Sequence, residues 1–403
     1  MKEPRLRLKE FVDNWKVIKL SEIARRVTRK NSHLESTLPL TISAAEGLIS
    51  QISFFNNIVA SSNLSGYYLI KKGEFAYNKS SSAGHPFGSI KRLNKYEEGA
   101  LSTLYIVFNI SGDVSSDYVT YFFDTSLWYK EVAMRAFEGA RNHGLLNIGA
   151  NDFLDINISL PADKREQQAI ADFFKSLDSM ITLTSKKIEK LKQTLTGCMQ
   201  TMFPQEGEFE PKIRFKGFEG EWEKVKFSEL YEPSSIKNKT YGPEKIISVA
   251  NMYFKPVSYI SNDDYLKSYN VMNLGDIAFE GNKSKNYAHG RFVENFIGNG
   301  IVSHVFIVLK PKSKQYDLQF WRYLINYEGI MGPILLRSTK HSTMMTDLVV
   351  GDFLKENILV PSYTEQKEIG AYFNNLDTLI ALQTKRLDLL KHIKSACLDN
   401  MFV

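Results

Sequence analysis

Two stretches of this 403-residue chain carry mostly apolar side chains at alternating steps of four and three. In the first they are Leu177, Ile181, Thr184, Ile188, Leu191, Leu195, Cys198 and Met202. In the second they are Leu376, Ile380, Gln383, Leu387, Leu390, Lys394, Cys397 and Met401. This is the a/d seam of a coiled coil. Pro161 and Pro361 stand just ahead, where proline is tolerated, and residues 166–202 contain none. The pattern predicts two helices, each roughly 55 Å long at 1.5 Å per residue. A narrow seam with charged flanks predicts that they pack on each other as an antiparallel pair, rather than each on its own globular unit. Leu177, Ile181, Ile188 and Leu191 then meet Leu376, Ile380, Leu387 and Leu390. Polar Thr184 and Gln383 fall mid-seam, where they fix register. Cys198 and Cys397 act there as small hydrophobes, too far apart for a disulfide.

Outside the helices the periodicity changes. LSTLYIVFNI from Leu101 and SHVFIVLKP from Ser303 read as matched buried strands. SSDYVTYFFDTSLWYKEV from Ser115 and YDLQFWRYLINYEGI from Tyr316 read as matched aromatic helices. Each region is mixed α and β with many loops.

The matching extends along the whole chain. EPRLRLKEFVDNW (residues 3–15) returns as EPKIRFKGFEGEW (residues 210–222), at offset 210 − 3 = 207. LSEI from Leu20 returns as FSEL, and GEFAYNK from Gly73 as GDIAFEGNK. DFLDINISLP returns as DFLKENILVP at offset 352 − 152 = 200, and EQQAIADFFKSLD as EQKEIGAYFNNLD at 365 − 166 = 199. Ordered blocks with a drifting offset describe a duplicated framework whose loops have diverged. The chain divides into a first unit at 1–160, a helix at 161–204, a second unit at 205–360 and a helix at 361–403.

The loops differ between copies yet share one property. FAYNKSSSAGHPFGSIKRLNKY (residues 75–96) has no acid and offers Lys79, Ser81, His85, Lys91 and Arg92. GARNHGLLNIGAN from Gly139 offers Arg141, Asn142 and His143. In the second unit, GNKSKNYAHGRFV from Gly281 offers Lys283, Lys285, Asn286 and Arg291. GIMGPILLRSTKHSTMMT from Gly329 offers Arg337, Lys340, His341, Ser342 and Thr343. Lysine and arginine neutralise phosphates, hydroxyls position them, and arginine and asparagine read purine edges. For any single residue, a solvated surface charge is the simpler reading. Four acid-free stretches at equivalent places favour DNA binding. The net charge of +6 permits it without requiring it.

Catalytic signatures are missing from the sequence. There is no NPPY-type loop, no GxxxxGK[ST], no HExxH and no CxxC, and seven histidines are scattered. No apolar run reaches transmembrane length, and MKEPRLRLKEF lacks a signal-peptide core, which predicts a cytoplasmic protein. The residues predict a chain that binds rather than catalyses. The alternatives are a coiled-coil scaffold without a DNA role, or a fused methyltransferase or nuclease with unrecognised motifs.

The order P…R.K.F…W…LSE, a variable region, LP, then EQ..I..FF..LD and a long helix ending in Met-Phe, all stated twice, resembles the specificity (S) subunit of type I restriction–modification systems. The resemblance covers essentially the whole chain. It implies an α+β fold: two mixed α/β target recognition domains, joined by an antiparallel pair of long helices with pseudo-two-fold symmetry. It implies double-stranded DNA with a bipartite target, two methyltransferase (M) subunits and restriction/translocase (R) subunits as partners. It implies no catalytic residue, metal or cofactor in this chain. S-adenosylmethionine, ATP and Mg²⁺ belong to the partners. Glu166, Gln167 and Phe173, with Glu365, Gln366 and Phe373, are candidate subunit contacts; the two glutamates also suit the helix dipole.

Overall fold

The computed structural model describes residues 3–44, 46–56, 60–61, 63–136, 146–256, 263–312, 315–341 and 345–403. The chain forms two compact units. One joins the residues up to 184 with 386–403, and the other holds 185–385. The division falls inside both long helices, Lys164–Met202 and Tyr363–Met401. The helices are therefore not separate segments, as the sequence boundaries drew them. Their apolar seams are buried in the same cores as the aromatic side chains of the units.

The first unit is built on a four-stranded antiparallel sheet in the order Ala24–Arg26, Ile106–Ile110, Phe75–Asn78 and Ser89–Arg92. The apolar run from Leu101 supplies one of its two central strands. Trp15–Lys19 pairs with Asn157–Pro161, which leads into the first long helix. The aromatic stretch forms two short helices, Ser116–Phe122 and Tyr129–Arg135, rather than a continuous one. Ser115 caps the first by accepting from the Tyr118 amide.

The second unit repeats this plan. Its sheet runs Tyr231–Ser234, Ile307–Pro311, Ile277–Glu280 and Arg291–Glu294. Glu223–Lys226 pairs with Asn357–Val360 ahead of the second long helix. Its aromatic stretch also divides, into Leu318–Leu324, capped by Asp317, and Glu328–Ser338.

Within each unit the start of one long helix lies antiparallel to the end of the other. In the first unit Phe174 meets Phe402 at 5.7 Å, and Asp178 pairs with Lys394 at 2.6 Å. Advancing along one helix means retreating along the other. In the second unit Phe373 meets Phe203 at 5.5 Å, and Leu376 shares a core with Leu191 and Leu195. Of the predicted seam, Leu177, Ile188, Leu376 and Leu390 are buried, and Ile181, Leu191, Ile380 and Leu387 half-buried. Thr184 is buried, with its hydroxyl donating to the Met180 carbonyl in its own helix. Both cysteines are free thiols.

Candidate nucleic-acid interface

The residues that recur most faithfully point inward. Glu166 is fully buried and accepts a fork from Arg7, at 2.7 Å from Nε and 2.8 Å from Nη2, plus the Trp15 indole at 3.3 Å. Gln167 accepts from the Ser115 amide and donates to the Pro161 carbonyl, both at 2.9 Å. The second unit repeats the device. Glu365 takes the Arg214 fork at 2.7 and 2.8 Å, and Gln366 links the Asp317 amide to the Pro361 carbonyl, both at 3.2 Å. The bond to Glu166 holds the Arg7 guanidinium above its ordinary range, and Glu365 does the same for Arg214. Each motif ties a long helix to the strand before it, to the cap of an aromatic helix and to an arginine about 150 residues upstream in sequence.

This corrects the expectation that Glu166, Gln167, Glu365 and Gln366 meet a partner subunit. They are buried, and their polar atoms bond within the unit. Phe373 is fully buried as well, whereas Phe173 is half-buried. These two are not counterparts: at offset 199, Phe173 matches Tyr372 and Phe373 matches Phe174. Two internal links escaped the sequence reading. Tyr121 donates to Asp178 at 3.0 Å and Tyr323 to Asp377 at 2.6 Å. Their signal is the recurrence of both pairs in the repeat.

The divergent loops gather at one end of each sheet. In the first unit residues 79–88 connect Phe75–Asn78 to Ser89–Arg92. In the second unit residues 281–290 connect Ile277–Glu280 to Arg291–Glu294. Each loop closes on a left-handed glycine, Gly88 at φ +79° or Gly290 at φ +76°. A Cβ there would lie 2.0 Å from the Asn78 carbonyl oxygen or 2.6 Å from that of Glu280. The second acid-free stretch arrives at the same root in both units. The Leu146 amide donates to the Lys79 carbonyl at 3.0 Å, and the Thr346 amide to the Gly281 carbonyl at 2.8 Å.

The candidate contacts separate into two sets. Ser81, Lys283, Lys285, Asn286 and Lys340 are exposed, and His85 is half-buried. Lys79 is half-buried, with its ammonium 3.4 Å from the Ile148 carbonyl. Lys91, Arg92 and Arg291 are held by acids of their own unit. Lys91 pairs with Asp124 at 2.7 Å, and Arg92 with Asp117 at 2.6 Å and Ser116 at 2.9 Å. Arg291 bonds Glu280 at 2.9 Å and the Ala250 carbonyl at 2.6 Å. All three cations are thus held by the frame rather than offered to a base edge. Arg337 pairs with Glu356 at 2.7 Å but stays half-exposed, and such surface pairs are weak. Arg141, Asn142, His143, Ser342 and Thr343 lie outside the described residues, as does the side chain of His341, whose backbone ends the strand Thr339–His341. Among the described residues no group of acids, histidines or cysteines is placed to hold a metal ion, and no helix is long and apolar enough to cross a membrane.

Two copies of one α+β frame, each with divergent basic loops at the same sheet end, define a duplicated recognition chain. Comparison with known families agrees. Residues 12–193 and 219–392 each match the type I restriction modification DNA specificity domain, and the chain belongs to that family. It is similar in fold to the S subunit of a type I restriction–modification system from M. genitalium, at 14% identity and TM-score 0.57, over 100% of this chain and 99% of that one. It is also similar to a chain from a structural study of complex assembly and conformational transition of the type I R-M system, at 14% identity and TM-score 0.53, over 96% and 97% of the two chains. No curated protein matches it.

Proposed function

We propose that each unit reads one half of a bipartite double-stranded DNA target, and that the chain chooses the site for partners that carry the chemistry. The observation that carries this is the shared placement of the loops. In both units two acid-free stretches meet at the root of the same hairpin, on frames whose inward residues recur and whose loop residues do not. Equal frames with unequal loops give an asymmetric target. Exposed Lys283, Lys285 and Lys340 suit phosphates, and Asn286 suits an adenine edge. Each mismatched base pair in the target then costs about 1–3 kcal/mol.

The partners are two methyltransferase subunits, which bring S-adenosylmethionine and methylate adenine N6, and restriction subunits, which bring ATP and Mg²⁺. The chain itself performs no catalytic step and works in the cytoplasm. The long helices dock the methyltransferase subunits and set the half-site spacing, at about one DNA turn, roughly 34 Å. The support for two docking places is that the helix and its anchoring are stated twice.

The test is an adenine-methylation map. The chain is expressed with its cognate methyltransferase subunit in a host without adenine methylation, and the DNA is sequenced by a modification-sensitive method. The expected result is one split motif, methylated once on each strand. A competent complex that methylates nothing, or an unsplit motif, overturns the two-reader function.

A further inference from the structure

Each unit carries a second hairpin against its sheet, and the root of that hairpin recurs while its tip does not. In the first unit Leu40–Ser43 pairs with Gly47–Ser50, and in the second Ile247–Ser248 pairs with Tyr253–Phe254. The roots close alike. The Gln51 amide donates to the Pro39 carbonyl at 3.0 Å, and the Lys255 amide to the Ile246 carbonyl at 2.7 Å. Leu40 and Ile247 stand against Gly99 and Gly300, where an added Cβ would lie 2.3 and 2.9 Å from their side chains. Leu40 is paired with Ser50, leaving 50 − 40 − 1 = 9 residues between them. Ile247 is paired with Phe254, leaving 254 − 247 − 1 = 6. Equal roots with unequal tips repeat the pattern of the two divergent hairpin loops, residues 79–88 and 281–290.

The tip stands beside the divergent loop. Arg291, which ends loop 281–290, donates to the Ala250 carbonyl at 2.6 Å and lies 4.9 Å from the Tyr287 ring centroid. Ala250, Asn251 and Met252 share the wall of a cavity of about 320 Å³ with Tyr287 and Arg291. In the first unit Gly47–Ser50 lies beside Ser89–Arg92, the strand that follows loop 79–88. The tip of the second unit is held rigidly. The Met252 amide donates to the Ser248 carbonyl at 2.8 Å, and its side chain is buried with Val249 and Val293. Its backbone is left-handed at φ +48°, a costly state for a bulky residue that persists where packing holds it. Gly47 supplies the left-handed position in the first unit, at φ +83°. The residues just before, Glu46 and Asn251, are therefore not set by the handedness of the turn. Both are exposed, and among the described residues neither side chain has a hydrogen-bond or ion-pair partner. No acid occurs between Glu244 and Asp263, so the tip of the second unit carries nothing that repels a phosphate strand.

We propose that the tip of this hairpin is a further base-reading element in each unit, Asn251 taking an adenine edge and Glu46 the amino group of a cytosine. An asparagine amide both accepts from and donates to adenine, at N6 and N7, whereas a carboxylate accepts from cytosine N4. A carboxylate gains nothing from phosphates, so Glu46 fits a base edge and not the backbone. The pinned turn fixes where the Asn251 side chain starts, which lowers the entropy lost on contact. The inference rests on the function proposed above, in which each unit reads one half-site. It adds to each unit a reading segment outside the four acid-free stretches already described.

The experiment is the adenine-methylation map of the full chain assembled with its methyltransferase subunits, repeated for Asn251→Ala, Asn251→Asp and Glu46→Ala. We expect Asn251→Ala to relax one specified base pair in one half-site, with discrimination there falling about tenfold or more. Glu46→Ala relaxes one base pair in the other half-site. Asn251→Asp matches the wild-type side chain in size and leaves only acceptors, so the preference at its base pair moves from adenine towards cytosine. A wild-type map without a split motif overturns the two-reader function and this inference with it. A split wild-type motif that either alanine variant leaves unchanged overturns this inference alone. So does relaxation of the same half-site by both alanine variants, or an Asn251→Asp map that keeps adenine. If Asn251→Ala abolishes methylation or blurs its whole half-site, the tip only supports the neighbouring loop, and the inference is overturned.

Discussion

Glu365→Ala removes the acceptor of a fork whose carboxylate is 1% exposed and whose guanidinium is 16% exposed. Breaking one side of a buried ion pair costs roughly 3–5 kcal/mol. Arg214 is partly wet and keeps its bond to the Gly220 carbonyl, so the cost falls to the bottom of that range or just below it, about 2–3 kcal/mol. Glu166→Ala removes the same fork from Arg7, which is 15% exposed, and also the Trp15 indole bond. A buried neutral hydrogen bond adds about 1 kcal/mol. Trp222, the counterpart of Trp15, has no partner on its indole nitrogen, so nothing comparable is removed in the second unit. The expected order is therefore Glu166→Ala worse than Glu365→Ala, at about 3–4 against 2–3 kcal/mol. For units of this size each kcal/mol moves the midpoint by roughly 2–4 °C. The assay is calorimetric unfolding of the full chain, with capture of the methyltransferase subunit measured well below the lowered midpoint. Glutamates that act as internal ties lower the midpoint and leave capture intact in the cold. An unchanged midpoint without capture would refute this reasoning and return both residues to a partner interface.

Replacing Lys283 and Lys285 together by alanine weakens DNA binding by the assembled complex about equally on target and non-target sequences, and the salt dependence of log K shallows by roughly one for each phosphate no longer neutralised. An unchanged salt slope takes that loop off the phosphates. Gly88→Ala forces a Cβ onto the Asn78 carbonyl at a left-handed turn, so the methylation map should lose specificity in one half-site while the other stays defined. Burial raises the Asp276 carboxyl to about 6, although the Asn273 amide, which donates to it, works to lower it. A raised carboxyl favours the protonated folded state, so its contribution is full below pH about 4 and is lost as pH rises through about 6. Asp276→Asn should flatten that part of the stability profile, and a curve of unchanged slope would show that Asp276 does not titrate there.

The duplication and the helix pair are legible in the sequence because both live in periodicity. Steps of four and three mark the seam, and identities in register mark the repeat. The split of the aromatic stretch into two helices is not legible, since the same apolar pattern runs across the break. The role of the Glu-Gln motifs is hidden for a different reason. A glutamate in the first turn of a helix looks the same whether it faces a partner or an arginine 159 residues upstream. The clue lies in the repeat itself: Arg7 and Arg214 recur along with Glu166 and Glu365. The loop cations fail similarly. Lys91 and Lys285 read alike, and what distinguishes them is Asp124, 33 residues beyond Lys91 and outside its acid-free stretch. An acid-free window reports local charge, whereas pairing is a property of the fold.

Divergence inside the frame is compensated from within the same unit. Gly370 faces the Asp317 cap so closely that an added Cβ would lie 2.5 Å from Oδ1. At the matching place in the first unit Ala171 stands where the cap is the smaller Ser115. A larger cap goes with a smaller helix residue, and both units stay packed. The strand position after Lys91 shows the same balance in charge. Arg92 faces Asp117 in the first unit, and its counterpart Glu294 has Arg322 nearby in the second. Lys394, which pairs with Asp178 in the first unit, becomes Leu195, and Asp377 at the place of Asp178 instead has Arg322, which stands at the place of Thr120, at 3.5 Å. Where the duplicated frame exchanges a charged side chain, a neighbour in the same unit exchanges with it, so the pairing recurs although the residues do not.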